Sequence, residues 1–417
     1  MDTAVALPRI RPLEAVPTRQ DGKPLFVLRD PFHYSDAVLT LSPFGALIVQ
    51  LLDGKNTMSD VQAILSKSVN QPFPPEKILE VIRILDECFF LDNENFAGRK
   101  IEIEGMFARS PVRPSYLAGR SYPADRAELK KILDELFNHP DPSALDSAAQ
   151  SDGVVAIVSP HIDFARGGLT YVPAYRAIAS SSAETFVIFG VSHNGGATPL
   201  VPIRKDFETP LGLVEIDRAV LDSLESELKG KPGWDHPYAG EFSHAFEHSI
   251  EFQIVFLQHV LAGRSFRIVP ILCAFSHDEV QAERGTADAP IRSFLAALNT
   301  AVARSGRKIA YVAGVDFAHV GAQFGDESPI LEKELLFHRE RDEQMMALIA
   351  SAGPEEFHRF ISEEANTRRV CGYPALYSLL STLPPDTRTS GRILKYGQWP
   401  DPNGTVTFGS LAFSSKD

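Results

Sequence analysis

The sequence contains few cysteines, no long apolar run and a deficit of positive charge, and each shortage excludes a class of protein. Three cysteines (Cys88, Cys273 and Cys371) are too few and too far apart in 417 residues for a disulfide scaffold, which favours a reducing compartment. No apolar stretch approaches the roughly 20 residues that cross a bilayer. Charged and proline-rich sequence follows the first residues, so we expect no secretory signal and a cytoplasmic location.

The charge balance argues against nucleic acids and membranes as partners. Lysine and arginine number 41 against 54 aspartates and glutamates, which gives a formal net charge of −13. Phosphate-rich surfaces bind basic proteins, so we expect no nucleic-acid or anionic-membrane partner. A chain of 417 residues is also too long for one ordinary core, which predicts two or more domains.

The first quarter of the chain has the pattern of a small helical domain. Residues 1–29 are rich in proline and arginine and are expected to form an extended lead-in. Apolar residues at helical spacing predict three helices. The first two are predicted to begin at the capping residues Ser42 and Thr57, and the third at Pro74-Pro75. The run Phe89-Phe90-Leu91 is typical of a strand. These features predict a domain at 30–97 and a polar linker at 98–112.

This first domain resembles PqqD-like domains, which are winged helices that bind leader peptides. The resemblance lies in "LSPFGALIVQLLDGKNTMSDVQAIL" and "PPEKILEVIRILDECFFL". A DNA-binding winged helix is the competing interpretation, but between Asp36 and Asn95 four basic residues face nine acidic ones, which disfavours DNA. The resemblance implies a peptide or protein partner that adds a strand beside the wing, at Phe26-Val27-Leu28 or Phe89-Phe90-Leu91. An accessory packing domain without a ligand is the alternative.

From Val154 onward the pattern changes to alternating strands and helices. Short buried strands are predicted at Val154–Val158, Thr185–Phe189, Arg267–Leu272 and Lys308–Val312. This alternation predicts an α/β fold over residues 113–413, with a mostly parallel sheet flanked by helices.

Three of the predicted strands run into side chains that bind metals. His161 follows the first strand, His193 the second, and Asp316 with His319 the last. Ligands of open α/β sheets bind where the carboxyl ends of the strands converge. Cys371 precedes an apolar helical run, and a thiol at a helix N-terminus has a lowered pKa and can act as a thiolate ligand. The sequence therefore predicts one metal site formed by these five residues.

A further pair of polar residues is a candidate for proton transfer. His248 and Glu251 are three residues apart at the start of a predicted helix and are expected to share one face. We interpret them as general acid/base groups, together with Asp316 and His319. The alternative interpretation is a polar cluster that caps the helix.

Motifs along 113–413 resemble those of the Memo family, also called AmmeMemoRadiSam system protein B. In the family's order they are "RPSYLAGRSYPADRAELKKIL", "SPHIDFARGG", "FGVSHNGG", "FETPLG", "EHSIEFQIVFLQ", "GVDFAHVGAQFG" and "VCGYPALYSLL". The resemblance carries the family's metal-site histidines onto His161 and His193, its cysteine onto Cys371, and its Asp-x-x-His onto Asp316 and His319. It further implies a fold similar to class III extradiol dioxygenases and, with that fold, ferrous iron.

The predicted ligands leave several functions open. Imidazole suits iron, copper and zinc, and thiolate favours copper(I) or zinc. We expect an iron(II)- or copper(I)-dependent, dioxygenase-like oxidoreductase that acts on an unidentified small substrate with a peptide or protein partner. A zinc-type hydrolase with metal-bound water as nucleophile is the second interpretation. A metal carrier or peptide-binding adaptor without turnover is the third.

Overall fold

A computed structural model describes residues 5–140, 153–283, 289–351, 353–384 and 390–415. The chain divides into two compact units, Met1–Arg109 and Ser110–Asp417. Among the described residues, no helix combines the length and the apolar character needed to cross a membrane.

The first unit contains a small antiparallel sheet and a group of helices. Its elements are β1 (Arg9–Ile10), β2 (Glu14–Gln20), β3 (Lys23–Arg29), β4 (Val38–Leu41), α1 (Pro43–Leu51), α2 (Met58–Val69), α3 (Pro75–Glu87), β5 (Leu91–Asp92) and α4 (Glu94–Arg109).

Helices α1 to α3 begin where the sequence predicts. The hydroxyl of Ser42 accepts the N–H of Gly45 at 3.1 Å. Thr57 forms a capping box with Asp60, and Pro75 occupies the first turn of α3. These contacts satisfy N–H groups that a helix start leaves without partners. The apolar faces of the three helices share one buried core, which includes Leu52, Val61 and Ile78.

The expectation of a lead-in at 1–29 is wrong, because these residues are part of the first unit. Strands β2 and β3 form a hairpin whose two-residue turn is Asp21-Gly22, with φ of 51° and 75°. Positive φ at both turn residues matches the twist of a hairpin, and Asp-Gly is a favoured pair for it.

The two segments expected to offer an open strand edge are paired within the unit. Residues 26–28 lie in β3, the central strand, which bonds to β2 on one side and β4 on the other. Leu91 pairs with Ile10, and the carbonyl of Phe90 accepts the N–H of Arg11 at 2.9 Å. A bound peptide strand therefore finds no free edge at residues 26–28. At Leu91 the edge is already paired with β1.

The predicted linker at 98–112 is also wrong, because α4 covers most of it. None of the residues of α4 is buried, but one side of the helix is partly covered: Phe96 contacts the ring of Tyr34, whose hydroxyl donates to Glu104 at 2.6 Å. Ion pairs one turn apart add to these contacts, Arg99–Glu102 at 2.9 Å and Lys100–Glu104 at 3.9 Å. Charge pairs at this spacing support a helix without producing hydrophobic periodicity.

The second unit contains a large sheet and its flanking helices. Its elements are β6 (Val112–Arg113), α5 (Arg126–Asn138), β7 (Val154–Ser159), α6 (Phe164–Ile178), β8 (Thr185–Val191), β9 (Leu200–Pro202), β10 (Asp206–Thr209), β11 (Gly212–Ile216), α7 (Arg218–Leu228), α8 (Ser249–Val260), β12 (Arg267–Cys273), α9 (His277–Ala282), α10 (Pro290–Ser305), β13 (Ile309–Gly314), β14 (His319–Val320), α11 (Glu332–Ala350), α12 (Pro354–Glu363), α13 (Tyr373–Thr382), β15 (Ser390–Trp399) and β16 (Thr405–Ser414). Short 3₁₀ turns occupy Glu241–His244 and Ala322–Phe324.

The strand order of the described sheet is β14-β16-β7-β13-β8-β12-β11-β10-β6, with β15 on β16 and β9 on β12. The four strands that the sequence predicts, β7, β13, β8 and β12, are neighbours and run parallel. Helices α6, α8 and α13 pack against these central strands. The predicted α/β class is therefore confirmed.

The sheet is mixed, because antiparallel strands extend its edges. β16 joins β7, and β15 pairs with β16 along its length. β16 is buried at almost every position, so its sequence lacks the alternation that indicates a strand with one solvent face. This explains why the sequence analysis missed the hairpin.

Candidate metal centre

The carboxyl ends of three adjacent parallel strands bring the candidate residues together. β13 lies between β7 and β8, and Gly314 at its end is in register with Ser159 at the end of β7. His161, His193 and Asp316 each follow one of these strand ends by two residues. Because these strands run in the same direction, all three residues lie at one edge of the sheet.

Cys371 reaches this edge from the start of α13. The N–H of Gly372 donates to the carbonyl of Asp316 at 3.1 Å. A Cβ on Gly372 would lie 2.6 Å from that oxygen, so only glycine permits the approach. The contact holds Cys371 beside the strand ends although it is 55 residues from Asp316 in sequence.

His161, His193 and Cys371 form one cluster of possible metal donors. One donor atom from each lies within 4.8 Å of the other two. The Cys371 Sγ is 3.4 Å from the His161 Nε2, and that nitrogen is 3.6 Å from the Asp316 Oδ2. The N–H of His319 donates to the carbonyl of Arg368 at 2.8 Å, which places His319 beside the segment that carries Cys371. All five residues that the sequence predicts thus share one cleft.

Hydrogen bonds at the Nδ1 atoms orient the three histidines. His161 Nδ1 lies 3.0 Å from the carbonyl of Gly314, and His319 Nδ1 lies 3.1 Å from the carbonyl of Phe317. A carbonyl only accepts, so Nδ1 carries a proton, and Nε2 is the nitrogen left to bind a metal. His193 Nδ1 lies 3.0 Å from a carboxylate oxygen of Glu247 instead.

The cleft favours a thiolate at Cys371. Burial would raise the pKa of this thiol, but His161 and His319 outweigh burial and hold the pKa well below its ordinary value. Burial would likewise lower the pKa of His319, whereas the Cys371 sulfur and Asp316 raise it to about 9. The negative sulfur and the imidazoles therefore stabilise one another.

Solvent reaches the cleft from the side of His193 and His248. The side chains of these residues are 34% and 33% exposed, whereas that of His161 is 2% exposed. The two exposed imidazoles stack, with ring centroids 4.6 Å apart and planes 21° from parallel. The cleft is therefore open to solvent on the side of these two histidines.

Glu247, which the sequence analysis did not select, contacts both of these histidines. Its carboxylate lies 3.0 Å from the Nδ1 of His193 and 3.1 Å from the Nδ1 of His248. Burial would raise the pKa of Glu247, but the two histidines lower it well below its ordinary value. Its position in the sequence, directly before His248 and the start of α8, is the feature that could have identified it.

The acid/base role expected of Glu251 is wrong, because its carboxylate is committed elsewhere. Glu251 forms a buried ion pair with Arg113 and accepts the hydroxyl of Tyr122. Both of its oxygens also accept backbone N–H groups, from Tyr116 and Leu117 at 2.9 Å each. α8 is buried around most of its surface. The spacing of three residues between His248 and Glu251 therefore does not indicate which side of the helix faces the cleft. His248 does face the cleft, 5.0 Å from His161 between ring centroids.

Comparisons with known proteins show what this chain is similar to. A family model described as "Memo-like protein" matches residues 113–407. A MEMO1 family protein of Aquifex aeolicus is 26% identical over 392 residues, which cover 93% of this chain and 96% of the relative. A MEMO1 family protein of Nitrosopumilus maritimus is 27% identical over 72% of this chain and 99% of its own length. A third, from Pyrococcus furiosus, is 32% identical over 54% of this chain and 73% of its own.

Proposed function

Because this chain belongs to the Memo-like protein family, we propose that it binds one first-row transition metal ion at His161, His193 and Cys371 and uses it in redox chemistry. The supporting observation is the donor cluster within 4.8 Å. Metal–ligand bonds of about 2.0–2.3 Å place donors around one ion roughly 3–4 Å apart. The Sγ–Nε2 distance of 3.4 Å fits this spacing.

The donor types favour iron(II) or copper(I). Two imidazoles and a thiolate suit copper(I), which prefers soft donors. Iron(II) takes harder donors, and the carboxylate of Asp316, 3.6 Å from the His161 Nε2, offers one in the same cleft. Zinc suits the same imidazole and thiolate donors and remains the alternative metal.

The remaining polar groups of the cleft are suited to proton transfer. An ion of this kind supplies one-electron transfer or dioxygenase-like activation of oxygen. We assign His248 to proton transfer at the exposed face, since its imidazole borders the entrance beside His193. His319 lies at the Cys371 side, with its Nδ1 held by the carbonyl of Phe317, and would exchange protons through Nε2.

Anaerobic reconstitution tests the proposal. Protein purified without oxygen is loaded with Fe(II), Cu(I) or Zn(II), and oxygen uptake is measured with catechol-like and peptide substrates. We expect uptake with iron or copper and its loss in His161→Ala. That variant should keep its far-UV circular dichroism, because a side chain after a strand end contributes little to the core.

Two outcomes would replace the redox proposal. Activity that is restored by zinc and independent of oxygen would indicate a hydrolase with metal-bound water as the nucleophile. Reversible binding of metal at one equivalent, with no turnover of any substrate, would indicate a carrier. Metal content unchanged by His161→Ala would reject the site itself.

We also propose that the first unit, as a PqqD-like winged-helix domain, binds a peptide along β4. In the described residues β4 pairs only with β3, so its other edge is available to an added strand. Val38 on β4 is 61% exposed, while Leu39 and Leu41 pack against the core of the unit. β2, the opposite edge, carries Pro17, which lacks the N–H that strand addition needs.

Paired substitutions on the two edge strands test peptide binding. The probes are peptides encoded near the gene, titrated by fluorescence anisotropy. Val38→Asp is expected to weaken binding at least about tenfold, because a charge replaces an apolar contact beside the added strand. Thr18→Asp on β2 is the matched control and should stay within about twofold. If both variants lose peptide affinity equally, or if the wild type binds no peptide, the first unit has a purely structural role.

A further inference from the structure

We infer that Glu247 is a positioning residue that orients His193 and His248 together, so that both present their Nε2 atoms to the cleft. The inference rests on the proposed metal site and extends it to a residue outside the donor cluster. The decisive observation is that one buried carboxylate contacts the Nδ1 atoms of two neighbouring imidazoles.

The carboxylate of Glu247 is surrounded by donors. Besides the two Nδ1 atoms, it accepts backbone N–H groups from His193 at 3.1 Å, His248 at 2.8 Å and Ser249 at 3.0 Å. Five contacts on two oxygens leave little freedom to rotate. Glu247 therefore connects the end of β8, which carries His193, to the start of α8, which carries His248.

This connection distinguishes His193 from the other histidines of the cleft. His161 and His319 are oriented by backbone carbonyls, which carry no formal charge. A carboxylate holds the Nδ1 proton more strongly and makes Nε2 a better electron donor. His193 is also the more exposed histidine of the cluster, so it gains less orientation from packing than His161 does. The carboxylate supplies the orientation that packing does not.

The same contacts disfavour a second ion between these residues. His193, Glu247 and His248 also place donor atoms within 4.8 Å of one another. A metal there would displace the Nδ1 protons that now bond to the carboxylate. It would also compete with three backbone N–H groups that have Glu247 as their acceptor, and buried N–H groups without acceptors are costly. The arrangement is that of hydrogen-bonded imidazoles around one anion.

The test compares Glu247→Gln, Glu247→Asp and the control Glu251→Gln in the full-length protein. Glu251 is a second buried carboxylate near the start of α8, but its contacts are Arg113 and Tyr122. Co(II) is the probe, titrated anaerobically against a chelator. Selective ¹⁵N-histidine labelling of the protein without added metal reports the hydrogen bond of the His193 Nδ1, with His193→Asn for assignment.

Glu247→Gln is expected to weaken Co(II) binding about 10–100-fold, as for loss of other partners that orient a ligand. It should also change the ¹⁵N shift of the His193 Nδ1, because that N–H loses its charged acceptor. Glu247→Asp, which keeps the charge, should recover part of both effects. Glu251→Gln should lower the unfolding temperature and leave Co(II) affinity and the His193 shifts unchanged.

The inference is overturned if Glu247→Gln binds Co(II) within twofold of the wild type and keeps the His193 ¹⁵N shifts. It is also overturned if Glu251→Gln reproduces both changes, since the effect would then come from general loosening of α8. Failure of the wild type to bind Co(II) would instead reject the metal site. The ¹⁵N measurement would still decide the role of Glu247.

Discussion

Replacing Cys371 with serine is expected to weaken Co(II) or Cu(I) binding by more than the ~10–100-fold that loss of an orienting partner costs. The thiolate is available near neutral pH because the neighbouring histidines hold the pKa of Cys371 well below its ordinary value. A serine hydroxyl stays protonated under the same conditions and is a poor ligand for soft ions. The thiolate-to-cobalt charge-transfer absorption of the wild type should disappear in the variant.

Cys88→Ser is the control for this experiment. Cys88 is a partly exposed free cysteine of the first unit, and burial beside Glu87 raises its pKa. Its replacement should leave both the affinity and the absorption unchanged. Equal affinities for Cys371→Ser and the wild type would remove Cys371 from the ligand set and leave a site of imidazoles and Asp316.

Glu251→Ala is expected to destabilise the second unit by about 3–5 kcal/mol, the usual cost of removing one partner from a buried ion pair. The side chains of Glu251 and Arg113 are both 0% exposed. Without the carboxylate, the guanidinium keeps only the carbonyls of His244 and Glu247 as partners, at 3.0 and 2.7 Å. The N–H groups of Tyr116 and Leu117 also lose their acceptor.

The measurement is the free energy of unfolding in urea, followed by a probe in the second unit, because a chain with two units need not unfold in one step. Glu343→Ala is the control. Glu343, in α11 of the same unit, forms an exposed ion pair with Arg339, with side chains 52% and 58% exposed, and such pairs contribute about 1 kcal/mol or less. A loss below about 1 kcal/mol in Glu251→Ala would show that water replaces the carboxylate, contrary to the burial of the pair.

The elements that the sequence predicts are those whose signal is local. Ser42 and Thr57 cap helices through atoms three residues away, so a short window of sequence contains both partners. The central strands are continuous apolar runs because the sheet buries both of their faces. The hairpin at Asp21-Gly22 had an equally local signal, which the proline and arginine content of 1–29 obscured.

The site was predictable to the extent that topology alone determines it. Neighbouring parallel strands must end at the same edge, so residues following them must meet there. For this reason the sequence pattern alone places His161, His193 and Asp316 at one edge of the sheet. Helix spacing did not extend the argument to α8, because a helix buried on nearly all sides has no face that spacing can identify.

The sequence by itself determined the family, the α/β class of the second unit and the five residues that share its cleft. The tertiary structure alone decided which carboxylate of α8 serves the cleft. Glu247 and Glu251 are the same residue type, four positions apart. The difference lies in what each meets: Glu247 meets the imidazoles of His193 and His248, and Glu251 meets the guanidinium of Arg113, which is 138 residues away in sequence. A buried carboxylate takes its role from the charges and donors packed against it, and these contacts exist only once distant segments have come together.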